Sequence, residues 1–143
     1  MIDNIFIDTN IWIYAFLGNE QDNSKQLKTL ALFEEIPTES KVIISIQVVN
    51  EFHWILTRKY KISEELINEK VIKGIVAFAN IVPLDFQTYQ DALRVRSKYT
   101  ISFWDSLIIA SALDNRCNIL YSEDMQHGMV IDHRLKILNP FVE

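Results

Sequence analysis

Cysteine is almost absent from this chain. A single one, Cys117, occurs in 143 residues. That excludes an internal disulfide framework and any zinc site built on cysteine, and it fits a reducing compartment. Glycine and proline number three each, too few for long linkers, a collagen-like repeat or low-complexity segments. No apolar run approaches the roughly 18 residues of a membrane span. Met1-Ile2-Asp3-Asn4 carries two polar groups and no basic residue, so it does not read as a secretion signal. The three histidines, His53, His127 and His133, lack paired ligand spacing such as HExxH, which again argues against zinc. The expectation is a soluble cytoplasmic protein with no membrane partner.

What is present is globular. Hydrophobic residues make up 49% and charged residues 23%, far from the low hydrophobicity of disordered chains. The length fits one domain over residues 1–143, able to bury roughly two-thirds of the surface its unfolded form exposes. No internal repeat is visible. The 19 acidic residues outnumber the 14 basic ones, giving a net charge of −5. An acidic balance disfavours a protein that coats duplex nucleic acid, because phosphate binding needs positive charge. It leaves room for a metal-dependent nuclease: with four acids gathered round cations, 15 remain against 14 basic residues.

Short apolar runs alternate with helical stretches. Strands are expected at residues 5–7, 42–44, 81–84 and 119–121, with a possible short fifth at 136–138. Helices are expected over about 10–16, 25–35, 45–60, 64–79, 86–98 and 103–115, with a polar break at 18–23. Pro83 is compatible with the third strand only at an edge or strand end. Brief, wholly apolar strands separated by helices indicate a parallel sheet covered on both faces, hence a three-layer α/β domain. Such sheets bind ligands beyond the carboxyl ends of their strands.

Acids stand at those places. Asp8 closes the first strand, followed by Thr9 and Asn10. Ser122-Glu123-Asp124 follows the fourth strand. Glu51 lies on the third helix, about 100° from the centre of a stripe formed by Val48, Val49, Phe52, Ile55 and Leu56, at the margin of the buried face. Trp54 points almost opposite that stripe. Asp105 lies in the first turn of the last helix. Each has a plainer role available: Asp8 or Asn10 as a helix cap, Asp105 as part of a capping box with Ser102, Asp124 in a turn, Glu51 as a solvated surface residue. Taken jointly they are less ordinary. Two carboxylates about 5 Å apart repel by roughly 3 kcal/mol at an effective dielectric of 20, so convergence calls for raised pKa values or bound cations. Oxygen-only clusters suit Mg²⁺ or Mn²⁺. Of Glu123 and Asp124, strand alternation lets only one face such a site.

At these residues the chain resembles the PIN-domain ribonucleases, and within them the VapC-type toxins of toxin–antitoxin pairs. Ile5-Phe6-Ile7-Asp8-Thr9-Asn10 is similar to the opening strand and first acid of that family. Ser45-Ile46-Gln47-Val48-Val49-Asn50-Glu51-Phe52 is similar to its second motif, and Asp105-Ser106-Leu107-Ile108-Ile109-Ala110-Ser111-Ala112 to its third. Leu120-Tyr121-Ser122-Glu123-Asp124-Met125 resembles the fourth, with Ser122 where Thr is common. Asn139-Pro140-Phe141 is similar to the closing strand and tail.

The resemblance implies a PIN-like sheet of order 3-2-1-4-5 and selects Asp124 over Glu123. It implies a Mg²⁺- or Mn²⁺-dependent endoribonuclease in which Asp8, Glu51, Asp105 and Asp124 hold metal and carry catalysis, leaving 5′-phosphate and 3′-hydroxyl ends. Thr9, Asn10 and Ser122 would orient acids or waters. It also implies an antitoxin partner and a homodimer, with Trp54 or Trp12 expected near one of those contacts. Candidates to attract RNA are Arg58, Lys59 and Lys61 after the Glu51 helix, and Arg94, Arg96 and Lys98 before Asp105; His127 is a further possible phosphate contact. The alternatives are a non-catalytic PIN-like module that binds RNA or protein, and, more remotely, an aspartyl-phosphate hydrolase. The latter wants a second Asp where Asn10 stands.

Overall fold

The computed structural model describes residues 2–17 and 23–142. Met1 and all but Asn23 of the expected polar break lie outside them. Among the described residues the strands are β1 (Asn4–Ile7), β2 (Lys41–Ser45), β3 (Asn80–Val82), β4 (Ile119–Tyr121), β5 (Val130–Ile131) and β6 (Leu135–Leu138). The helices are α1 (Thr9–Phe16), α2 (Ser24–Glu35), α3 (Ile46–Arg58), α4 (Glu64–Lys70), α5 (Val76–Phe78), α6 (Phe86–Lys98) and α7 (Phe103–Asp114). A π-helical turn, Val71–Ile75, joins α4 to α5.

The sheet runs β3-β2-β1-β4-β6-β5, parallel except for the final pair. This is the expected order, with β6 as the anticipated fifth strand and one strand more than foreseen. β1 lies between β2 and β4, with Ile5 opposite both Val42 and Ile119. Ile5, Phe6 and Ile7 are all buried. Successive strand residues face opposite sides, so helices must cover both. α1 packs against α2 and α3, and α6 against α7. From Ser106 to Leu113 every residue of α7 is buried, as befits a helix apolar all round. β3 is an edge strand that stops before Pro83, so the missing N–H disrupts no ladder.

The unforeseen strand β5 pairs with β6 through a three-residue turn, Asp132 to Arg134. Asp132 and His133 both adopt positive φ, 52° and 59°, and the Arg134 N–H donates to the Ile131 carbonyl at 3.0 Å. Two successive left-handed residues make this a tight reversal without the glycine that normally advertises one. The helix expected over 64–79 also widens at the π turn. There Gly74 lets the Phe16 ring lie where a Cβ would stand 2.4 Å from Cζ.

Trp12, expected near a partner contact, lies in the core and not at the surface. It is among the largest fully buried side chains, and its Nε1–H donates to the Ile7 carbonyl at 3.0 Å. Phe33 and Phe78 pack against its ring. Trp54 is 59% exposed, as its place opposite the stripe requires. Cys117 is buried, and burial pushes its thiol up to about 12. No helix among the described residues is long and apolar enough to cross a membrane.

Candidate active site

Asp8 is the residue at which β1 becomes α1. Its backbone N–H still belongs to the sheet and donates to the Tyr121 carbonyl at 2.9 Å. Its carboxylate caps α1, Oδ1 accepting from the Thr9 N–H at 2.8 Å, so the plain capping role is real. Oδ2 accepts from the Ser122 hydroxyl at 2.9 Å. Asp8 and Ser122 are both buried. Burial pushes the Asp8 carboxyl up to about 7. The Thr9 N–H and the Ser122 hydroxyl oppose that rise, and the charges of Glu51 and Asp105 add to it.

The other three acids come from three further places. Glu51 projects from α3 and is half-buried, as the margin of its helical stripe predicts. Oε1 accepts from the Thr9 hydroxyl at 3.3 Å. Its pKa is raised, chiefly by burial, against hydrogen bonds from Thr9 and Gln47 and with help from Asp105 and Asp124. Asp105 lies in the first turn of α7, where Ser102 is the cap, accepting from the Asp105 N–H at 3.1 Å. Asp124 follows β4, and Oδ2 accepts from the Asn10 side chain at 2.9 Å. Its pKa is raised, first by burial and then by Glu123 and Asp105.

All four acids line one cleft of about 250 Å³. Thr9, Asn10, Gln47, Ile55, Trp104 and Ile108 complete its walls. Glu123 points elsewhere, accepting from the Tyr14 hydroxyl at 2.8 Å and pairing with Lys25. The bend that follows β4, and not the strand itself, has put Asp124 rather than Glu123 at the cleft. Every polar donor at the walls is oxygen or amide, with neither thiolate nor imidazole, and no cationic side chain lines the cleft. Such a donor set fits a hard divalent cation. Among the described residues, however, no group of three His, Cys, Asp or Glu stands in an arrangement that could hold a metal ion. The carboxylates share the cleft without closing on one point. Thr9 and Asn10 hold Glu51 and Asp124 towards α1.

None of the basic candidates lines this cleft. Arg94 and Lys98 both bind Asp132 in the β5–β6 turn, at 3.0 and 3.3 Å. Arg58 stacks on Trp54, 4.6 Å from the ring centre, and Lys59 lies over Tyr60. Arg96 and Lys61 are exposed. His127 is engaged with the tail, Nδ1 accepting from the Asn139 N–H at 2.9 Å. Two cleft residues escaped the sequence reading. Gln47 lies one helical turn before Glu51 and so on the same face of α3, a signal present in the spacing. Trp104 precedes Asp105, and nothing in the sequence marks it as more than a helix-start aromatic.

Fold and cleft together define an α/β domain with an acidic pocket beyond the carboxyl edge of a parallel sheet. The PIN domain model matches residues 5–128, and the chain belongs to the PIN-domain family. No curated protein matches it in sequence. Among solved structures it resembles a toxin–antitoxin complex from Klebsiella pneumoniae, with 20% identity, a TM-score of 0.68, and 96% of this chain and 98% of that one covered. It also resembles VapC20 of Mycobacterium tuberculosis, a toxin that cleaves the sarcin–ricin loop, with 18% identity, a TM-score of 0.64, and 82% and 87% covered. A third is DNA-bound VapBC from Salmonella typhimurium, with 15% identity, a TM-score of 0.67, and 96% and 97% covered. At such identities these likenesses speak for the fold.

Proposed function

We propose that residues 1–143 form one domain acting in the cytoplasm as a VapC-like toxin, an endoribonuclease that hydrolyses RNA phosphodiesters with Mg²⁺ or Mn²⁺. The observation that carries this reading is the cleft lined by Asp8, Glu51, Asp105 and Asp124, in which several negative charges face one another with no cationic side chain at the walls. In this reading Asp8, Glu51, Asp105 and Asp124 hold the cation. A divalent ion bound there would polarise the phosphate and acidify a water. Ser122 and the Thr9 N–H keep the buried Asp8 oriented and lower the cost of its negative charge. To hold the cation, Glu51 and Asp124 would exchange their hydrogen bonds from Thr9 and Asn10 for it. Arg58, Lys59 and Arg96 are exposed, the first two lying over aromatic rings, and in this reading they meet the RNA backbone. Arg94 and Lys98 join them only by giving up Asp132. The relatives' toxin–antitoxin assemblies support an antitoxin partner, and a homodimer is part of the same proposal.

The test is cleavage of total RNA with Mg²⁺, with and without chelator, followed by mapping of the ends. Asp8→Asn and Glu51→Gln, made separately, should each abolish cleavage; parental rates in either would overturn the assignment. The second reading is a non-catalytic PIN-like module that binds RNA or protein, in keeping with the lack, among the described residues, of three acids arranged to hold a metal ion. Calorimetry separates the two: heat on titrating Mn²⁺ into the parental protein, lost in Asp8→Asn, supports the nuclease, and none supports the module.

A further inference from the structure

Beside the acids runs a ladder of aromatic rings. Trp104 lines the cleft and is still 63% exposed. Its ring meets Phe103 edge-on at 5.2 Å. Phe103 meets Tyr89 at 6.2 Å, and Tyr89 stacks on Phe86 at 5.7 Å with 29° between the planes. Phe86, the far end, is 70% exposed, and Tyr89 is exposed as well. A ladder open at both ends is costly to leave in water unless something uses it.

The near end is also anchored. Gln47 is only 7% exposed, and its Nε2–H donates to the Trp104 carbonyl at 3.2 Å. Its Oε1 is buried at the cleft wall with no hydrogen-bond partner in the protein. An orphaned acceptor of this kind is expensive. It awaits a donor, and the cleft's carboxylates have none when ionised.

We propose that Trp104, with Phe103, Tyr89 and Phe86 behind it, is a stacking platform for the unpaired bases of a single-stranded RNA whose backbone crosses the acidic cleft. Gln47 fixes the platform and offers Oε1 to an N–H or O–H of the nucleoside nearest the acids. The proposal rests on the nuclease reading and adds the residues of this chain that grip the bases beside the cleft. Bases offer a π-face whatever their identity, and stacking on aromatic side chains is how single strands are gripped without sequence readout. Duplex bases are hidden from such a surface. A second protein chain is the poorer occupant, because a face closed over Trp104 also closes the cleft and strips water from its carboxylates.

The test uses the full chain carrying Asp8→Asn, so that bound RNA is not cut, in the presence of Mg²⁺. Two probes are compared by anisotropy: a short single-stranded RNA, and the same strand with its bases removed. The expected result is about tenfold tighter binding of the base-bearing strand, lost on adding Trp104→Ala and kept on adding Trp104→Phe. Equal affinity for the two strands, no binding of either, or an unchanged preference in Trp104→Ala overturns the platform. So does conversion of a dimer to a monomer by Trp104→Ala in sedimentation, which hands the rings to a second copy. The nuclease reading fails separately: a parental protein that prefers base-bearing RNA but never cuts it loses only that reading. One that cuts RNA with kcat and KM unmoved by Trp104→Ala loses only the platform.

Discussion

Asp8 and Ser122 stand 114 positions apart and meet at 2.9 Å, the hydroxyl of one donating to Oδ2 of the other inside the core. β1 and β4 are neighbours in the sheet, so the contact is a direct product of strand order. Ser122→Ala removes a bond that holds the Asp8 pKa down. The acid limb of the pH–rate profile should move to higher pH, with cleavage at neutral pH falling about tenfold, the usual scale for a lost supporting contact. A parental profile in the variant would show that the hydroxyl does not tune Asp8.

Stability should also depend on Asp8, with a definite sign. Its pKa is raised from 3.8 to about 7, so between those values the folded chain holds a proton that the unfolded chain has released. Stability therefore falls as pH rises through that window. Asp8→Asn should raise the melting temperature at pH 8, by up to a few kcal/mol in free energy. The gain should vanish below about pH 4. Melting curves across pH check this, and a variant less stable than the parent at pH 8 contradicts it.

The two tryptophans of the sequence-level interface expectation should behave oppositely. Trp12→Phe removes a buried hydrogen bond to Ile7 and leaves a small cavity, costing about 2 kcal/mol. Trp54→Phe should lie within about 0.5 kcal/mol of the parent. Iodide should quench Trp54 and Trp104 and spare Trp12. A freely quenched Trp12 would be incompatible with its place in the core.

Asp132 is held by Arg94 and Lys98, and the Arg94 and Lys98 cations beside it keep its carboxyl below the usual range. Asp132→Asn keeps a residue that tolerates positive φ while removing the charge. It should cost about 1 kcal/mol at neutral pH and low salt, with part of the loss screened by added salt. A lowered carboxyl pKa stabilises above the unfolded value and ceases to do so as pH falls through the folded one. The difference between variant and parent should therefore close in acid, and a difference that persists there would mean that shape and not charge matters at this turn.

The parallel order was readable because short, wholly apolar segments ended at polar residues and alternated with helices. Asp8, Glu51, Asp105 and Asp124 were readable as acids at strand ends and helix starts, and Glu51 through the phase of its stripe. Three features were not. β5 hides behind Asp132-His133, a turn that reaches positive φ without glycine. Trp12 sits two residues from exposed-looking polar letters, yet α1 turns it beneath Phe33 and Phe78. The pairing of Arg94 and Lys98 with Asp132 joins segments about a quarter of the chain apart, and no local pattern announces it.

Because β4 pairs with β1 on the side away from β2, the cleft has no fourth wall until β4 has joined the sheet. Asp8 leaves the ribosome early but waits for Ser122 and Asp124 before it sits among its partners. A chain that stops short of β4 thus lacks both Ser122 and Asp124, and its Asp8 carboxylate stays without that support.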